Sequence, residues 1–239
     1  MSSPQTRGLL YGISVGPGDP ELITVKGLNI LRNSPVVAFP AGTAGKPGIA
    51  QGIIRSWLQA NQLQLPLEFP YVQDEVILQT AWDRAAAQVW PYLAQGMNVA
   101  FACEGDVSFY STFTYLAQTL RKLHPEARVQ AIPGVCSPLA AVASLGLPLT
   151  VRDQRLAILP GFYGLEALEG TLDQANVVVL MKVKSVYSQV WALLQRRGLL
   201  DSAYVVEWAT LPHQVIYAGL GDRPQLDLSY FSLLVIFAT

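Results

Sequence analysis

The chain has 239 residues and a net charge of −1, with 51% hydrophobic and 14% charged residues. So small a net charge excludes a global basic field that recruits nucleic acid, and an anionic ligand must be held by local Arg and Lys side chains. Two cysteines, Cys103 and Cys136, and two histidines, His124 and His213, are too scattered for a C-x-x-C or Cys/His metal site, so no metal is expected.

Residues 1–7 lack the apolar core of a secretion signal, and a cytoplasmic protein is expected. An apolar strand is predicted over 9–15. It runs into Gly16-Pro17-Gly18-Asp19-Pro20, where the glycines permit positive φ and the prolines fix φ and remove N–H donors. Asp19 is placed to cap a helix over 22–32, with Pro20 at its first position and Glu21 at the positive end of its dipole. The loop matches neither G-x-G-x-x-G nor G-x-x-x-x-G-K-[ST], and its prolines remove amides that a phosphate nest uses, which argues against phosphate binding there.

Strands over 35–39, 65–69, 98–103 and 128–132 then alternate with helices over 49–61, 75–94 and 109–123. That alternation predicts a parallel sheet covered by helices. Trp82, Val89, Trp90 and Leu93 form a packing stripe within 75–94. The uncharged stretch between Arg128 and Arg152 is broken by Pro133, Gly134, Pro138, Gly146 and Pro148, so it reads as buried core and no membrane partner is expected. Beyond it come a helix over 138–145, strands over 156–159, 177–181, 203–207, 215–219 and 231–237, and a helix over 185–198. Several of these strands have no helix between them, which predicts antiparallel pairing. Two α/β domains, 1–133 and 134–239, are expected to share a cleft, and the apolar surplus is expected to cover a subunit interface.

Three loops follow strands of the first half and fall on the carboxyl edge of its sheet, where ligands collect. The first is the Gly16–Pro20 segment. In the second, Glu104-Gly105-Asp106-Val107-Ser108, Gly105 lets backbone approach a ligand, Asp106 accepts hydrogen bonds, and Ser111 and Thr112 donate them. A simple helix cap at Asp106 or Ser108 is the structural alternative. The third is Ile132-Pro133-Gly134-Val135-Cys136-Ser137.

Gly16-Pro-Gly-Asp-Pro-Glu-Leu-Ile-Thr-Val-Lys26, then Glu104-Gly-Asp106 with Tyr110-Ser-Thr-Phe113, then Ile132-Pro-Gly-Val135, closely resemble the tetrapyrrole methylase family. The resemblance implies a two-domain, non-Rossmann class III methyltransferase fold, a homodimer, and S-adenosyl-L-methionine held in the interdomain cleft. It implies cofactor contacts at Pro17, Glu104, Gly105, Asp106, Phe109, Ser111, Thr112, Cys136, Ser137, Met181 and Ala209. Tyr110–Phe113 and Leu156-Ala-Ile-Leu-Pro160 are most similar to the branch that methylates C20 of the tetrapyrrole precorrin-2 in cobalamin synthesis. The cobalt-containing form of that substrate, and a module that binds without turnover, are the alternatives.

The proton leaving C20 needs an acceptor, for which Asp106 and Glu104 are placed. The carboxylate-rich substrate needs basic partners, for which Lys184, Arg152 and Lys46 are the candidates, with Lys182 beside them. The sequence departs from the family pattern at Val107, where proline is common, at Gly27, where a small alanine is usual, and at Cys136, where a hydroxyl or small apolar residue is usual. Loss of that proline predicts a less rigid second loop.

Overall fold

The computed structural model describes residues 7–42, 47–70, 72, 74–161 and 164–238. Five strands, β1 (Leu9–Ser14), β2 (Val36–Pro40), β3 (Leu63–Leu67), β4 (Val99–Cys103) and β5 (Arg128–Ile132), form a sheet in the order β3-β2-β4-β1-β5. All its pairings are parallel. Every residue of β4 is buried, as a continuous Val-Ala-Phe-Ala-Cys run requires of a strand covered on both faces. Pro66 is tolerated because β3 is an edge strand.

Helices α1 (Val25–Asn33) and α2 (Ile49–Ile54) supply Leu31, Ile53 and Ile54 to a core against Ile13, Val37, Phe39 and Ala100. On the opposite face, α3 (Glu75–Ala94) and α4 (Thr112–Leu123) pack Val89, Leu93, Leu116 and Leu120 against Leu10, Val36 and Phe101. The stripe predicted on α3 is real: Val89 and Leu93 are fully buried. Its two tryptophans are half-buried and stack on neighbours, Trp82 on Tyr115 with centroids 4.4 Å apart and Trp90, at the border of the core, on His124 at 3.8 Å.

The second sheet contains β6 (Leu156–Leu159), β7 (Val177–Met181), β8 (Ala203–Glu207), β9 (Val215–Ala218) and β10 (Ser232–Phe237), in the order β6-β7-β10-β8-β9. Only β6 and β7 run parallel; the other pairs are antiparallel, as the missing helices predicted. One face is covered by α5 (Ser137–Leu145), through Ala141 and Val142. The other is covered by α6 (Leu165–Gln174) and α7 (Tyr187–Arg197), through Leu168, Leu172, Val190 and Leu194. The chain divides into two compact units, Met1–Cys136 and Ser137–Thr239. Among the described residues, no helix is long and apolar enough to cross a membrane.

Several boundaries differ from expectation for local reasons. Asp19 and Pro20 do start helical structure, but only a 3-10 turn, Pro20–Leu22; α1 begins at Val25, capped by the Thr24 hydroxyl, which accepts from the Gly27 amide. The helix expected from 109 begins at Thr112, because Tyr110 is left-handed (φ 50) and Ser111 takes the cap. The helix expected over 49–61 stops being α-helical at Ile54. The helix α6 is not legible in sequence, since Gly161 and Gly164 crowd its start and Gly170 interrupts its middle.

Two glycines on opposite terms with their surroundings make a matched test. A Cβ on Gly12 would sit 2.4 Å from the Phe113 ring, whereas one on Gly170 in α6 would meet nothing within 4 Å. Gly12→Ala is expected to destabilise the protein by about 1–3 kcal/mol through overpacking. Gly170→Ala is expected to stabilise it by about 0.5–1 kcal/mol, because alanine loses less backbone freedom in a helix. Urea unfolding of both variants checks the opposite signs.

Candidate functional site

The order of the first sheet sets β4, β1 and β5 side by side, so the loops that follow them emerge together at its carboxyl edge. Gly16 and Gly105, both left-handed (φ 77 and 68), pair as an antiparallel bridge in which each amide donates to the other's carbonyl, at 3.3 and 2.8 Å. Ser14, the last residue of β1, is fully buried. Its hydroxyl donates to the Ile132 carbonyl at 2.7 Å and accepts from the Val107 amide at 2.9 Å, joining all three loops. Gly134 packs so closely on this point that a Cβ there would fall 2.5 Å from the Ser14 Cβ.

Asp106 completes the junction. Its Oδ2 accepts from the Gly134 amide at 2.6 Å, and its Oδ1 accepts from the Ser108 amide at 2.8 Å and from the Ser108 hydroxyl. The Ser14 hydroxyl lies 3.4 Å from Oδ2, but its single proton is directed to Ile132 at the shorter distance. Burial pushes the Asp106 carboxyl upward; the hydrogen bonds from Ser108 and Gly134 outweigh it and hold the group below the usual aspartate range. Asp106 is therefore an ionised carboxylate, 8% exposed, with both oxygens engaged.

The remaining residues of the second loop divide between frame and surface. Ser111 caps α4 by accepting from the Phe113 amide and lies 2.9 Å from the Cys103 sulfur. Burial drives the Cys103 thiol up to about 12, so it is not a nucleophile at neutral pH. Glu104, Gly105, Phe109 and Thr112 are half-buried, and a Cβ on Gly105 would meet nothing within 4 Å. Open space thus lies over a backbone held rigid from behind. Phe109 and Tyr110 pack edge to face at 4.7 Å. Pro17 and Cys136 are half-buried in the loops after β1 and β5, and Ser137 opens α5. Among the described residues, no group of three or more His, Cys, Asp or Glu is placed to hold a metal.

In the second unit, Met181 ends β7, half-buried, and Ala209 is buried just after β8. Next to them are Lys182 (φ 56), Trp208 (φ 52) and Thr210 (φ 66), all left-handed. Lys184 is exposed on the 3-10 turn Val183–Val186. Arg152, also left-handed at φ 54, is exposed in the turn between α5 and β6. Lys46 lies outside the described residues. The central part of Ser14 was missed in sequence; the signal was a lone hydroxyl at the end of an otherwise apolar strand.

The family model for tetrapyrrole (corrin/porphyrin) methylases matches residues 9–223. The cobalt-precorrin-2 C(20)-methyltransferase of Salmonella typhimurium is 32% identical, over 96% of both chains. The precorrin-2 C(20)-methyltransferase of a Sinorhizobium species is also 32% identical, over 96% of this chain and 95% of that one. Against the cobalamin biosynthesis protein CobIJ of Mycobacterium bovis, 33% identical, this chain spans about half the relative's length, 46%. Among solved structures, a cobalt precorrin-4 methyltransferase aligns with a TM-score of 0.74 at 20% identity, over 99% of this chain and 97% of that one. The uroporphyrin-III C-methyltransferase of Thermus thermophilus, complexed with S-adenyl homocysteine, aligns at 0.65 with 20% identity over 96% and 97%.

Asparagine at position 106 has one acceptor oxygen, so its amide N–H must face donors that the carboxylate now satisfies. Asp106→Asn is expected to cost about 2 kcal/mol at pH 7. Because the folded pKa lies below the unfolded one of about 3.9, this stabilisation is complete above that value and is lost as pH falls through the folded pKa. Urea unfolding should therefore show the gap between wild type and variant narrowing below about pH 4.

Proposed function

The chain belongs to the tetrapyrrole (corrin/porphyrin) methylases, and on that footing we propose that it transfers the methyl group of S-adenosylmethionine to C20 of precorrin-2 in cobalamin biosynthesis. What carries the proposal is 32% identity, over nearly the full length of both chains, to two relatives named for methylation at that carbon. The structural neighbour complexed with S-adenyl homocysteine supports the cofactor. The first unit fits it: Gly105 presents open backbone at the carboxyl edge, and Pro17, Glu104, Phe109 and Thr112 are half-buried in the segments that follow β1 and β4 at that edge. Met181 and Ala209 are the cofactor neighbours assigned to the second unit. A cytoplasmic homodimer belongs to the same proposal and accommodates the apolar surplus of the composition.

The cofactor, when bound, supplies a methyl already activated on a sulfonium, so the chain needs little acid–base machinery. Its residues must hold methyl and acceptor carbon in line and keep water out. Asp106 and Ser111 do so indirectly, by fixing the backbone of the second loop. We assign Asp106 to positioning and not to proton transfer, since a carboxylate held at low pKa with both oxygens engaged is a weak base. Glu104, half-buried beside it, is the carboxylate assigned to accept the C20 proton. Lys184 and Arg152, both exposed, are assigned to the substrate's carboxylates.

The two relatives of equal identity carry names that differ in the metal state of the substrate, so cobalt-precorrin-2 is the second reading. Anaerobic incubation with each form and methyl-labelled S-adenosylmethionine, followed by NMR, is expected to show one labelled methyl at C20, with the faster substrate fixing the metal state. Methylation at another carbon, or cofactor binding without transfer to either form, overturns the proposal.

A further inference from the structure

Three of the five described non-glycine residues with left-handed backbone, Lys182, Trp208 and Thr210, stand at one edge of the second sheet, where β7 and β8 end and β10 begins. None belongs to the types that enter this region readily, and Thr210 is β-branched. Two of these conformations are held by pairing at the start of β10: the Lys182 amide donates to the carbonyl of Ser232, its first residue, and the Trp208 amide to that of Phe231 just before it, both at 2.9 Å. Backbone strain kept in this way is commonest at functional sites, where it aims a side chain that a relaxed turn would point elsewhere.

The side chains so presented form a connected surface. The Lys182 ammonium lies 5.4 Å from the centroid of Tyr230, which packs edge to face on Phe231 at 5.2 Å. Phe231 packs on Trp208 at 4.9 Å, and Trp208 lies 5.0 Å from His213. Lys182 is exposed, and among the described residues its ammonium is in no ion pair with a carboxylate. An aromatic ring removes part of the water from an ammonium without neutralising it, which strengthens its hold on an incoming carboxylate. Lys182 and Trp208 also adjoin in the chain Met181 and Ala209, the two residues assigned to the cofactor.

We propose that Lys182, backed by Tyr230 and flanked through Phe231 by Trp208, is a carboxylate-binding station that takes one acidic side chain of the tetrapyrrole and so fixes the orientation of the ring system. This rests on the tetrapyrrole substrate proposed above. The aromatic rings give the ring system a flat apolar border, and the ammonium supplies the charge complement. Lys182 is thus a specificity-determining residue; it takes no part in the methyl transfer itself.

The test is titration of precorrin-2 into wild type, Lys182→Gly and Lys182→Arg in the presence of S-adenosylhomocysteine, followed by absorbance, so that no turnover is needed. Glycine keeps the left-handed backbone and deletes the charge, whereas arginine keeps the charge. Lys182→Gly is expected to weaken binding about tenfold or more, and Lys182→Arg to stay within about threefold of wild type, the difference made by one charged hydrogen bond. Equal affinities in all three proteins overturn the station, as does equal weakening in both variants, which marks a structural role. Wild-type binding here, together with no methyl transfer in the separate incubation with labelled S-adenosylmethionine, overturns the proposed reaction and leaves the Lys182 comparison decisive. Absence of wild-type binding overturns both.

Discussion

The Ser14 hydroxyl holds three chain segments at one point: it donates to the carbonyl that ends β5, accepts from an amide of the loop after β4, and is itself the end of β1. Each of those backbone groups would otherwise be a buried orphan, with a cost of about 1–3 kcal/mol each. The Gly16–Gly105 bridge and the Asp106 carboxylate add further ties between the same segments. The consequence is a rigid platform whose outer surface, at Gly105, is bare backbone facing open space. Hydrogen-bonding capacity is spent on the inner side, and the outer side is left to a ligand.

This arrangement suits a reaction in which the electrophile arrives activated. Rate enhancement then comes mainly from alignment and exclusion of water, so the valuable property of the loops is that they do not move. Asp106 looks like an acid–base residue in sequence, yet in three dimensions its charge is the fixed centre of a hydrogen-bond network. The proline missing at Val107 finds its answer in the same place. Proline has no N–H, whereas Val107 donates to Ser14, so this second loop is held by a hydrogen bond where a ring would hold it otherwise.

The parallel first sheet was legible because its strands are unbroken apolar runs separated by helical periods, and the mixed second sheet because helices were missing between strands. The three loops were legible as a common edge, since each follows a strand and carries glycine. What could not be read was which side of that edge each polar residue serves. Ser14 and Ser111 differ little from other hydroxyls until the register Ser14↔Cys103 brings β1 and β4 together and sets Cys103 against Ser111. Nor does sequence show that Lys182 is left-handed: the turn after β7 has no glycine to announce it, and its conformation is imposed by β10, about fifty residues later.

The most direct test of the platform is calorimetric titration of S-adenosylhomocysteine into wild type and Ser14→Ala, with unfolding curves to confirm that both proteins are folded. Alanine leaves the Val107 amide and the Ile132 carbonyl without their shared partner while touching nothing on the ligand side. Affinity about tenfold or more weaker in the variant, from loss of order in the loops, is the predicted result. A folded Ser14→Ala protein that binds S-adenosylhomocysteine as tightly as wild type would contradict the claim that this buried hydroxyl organises the site.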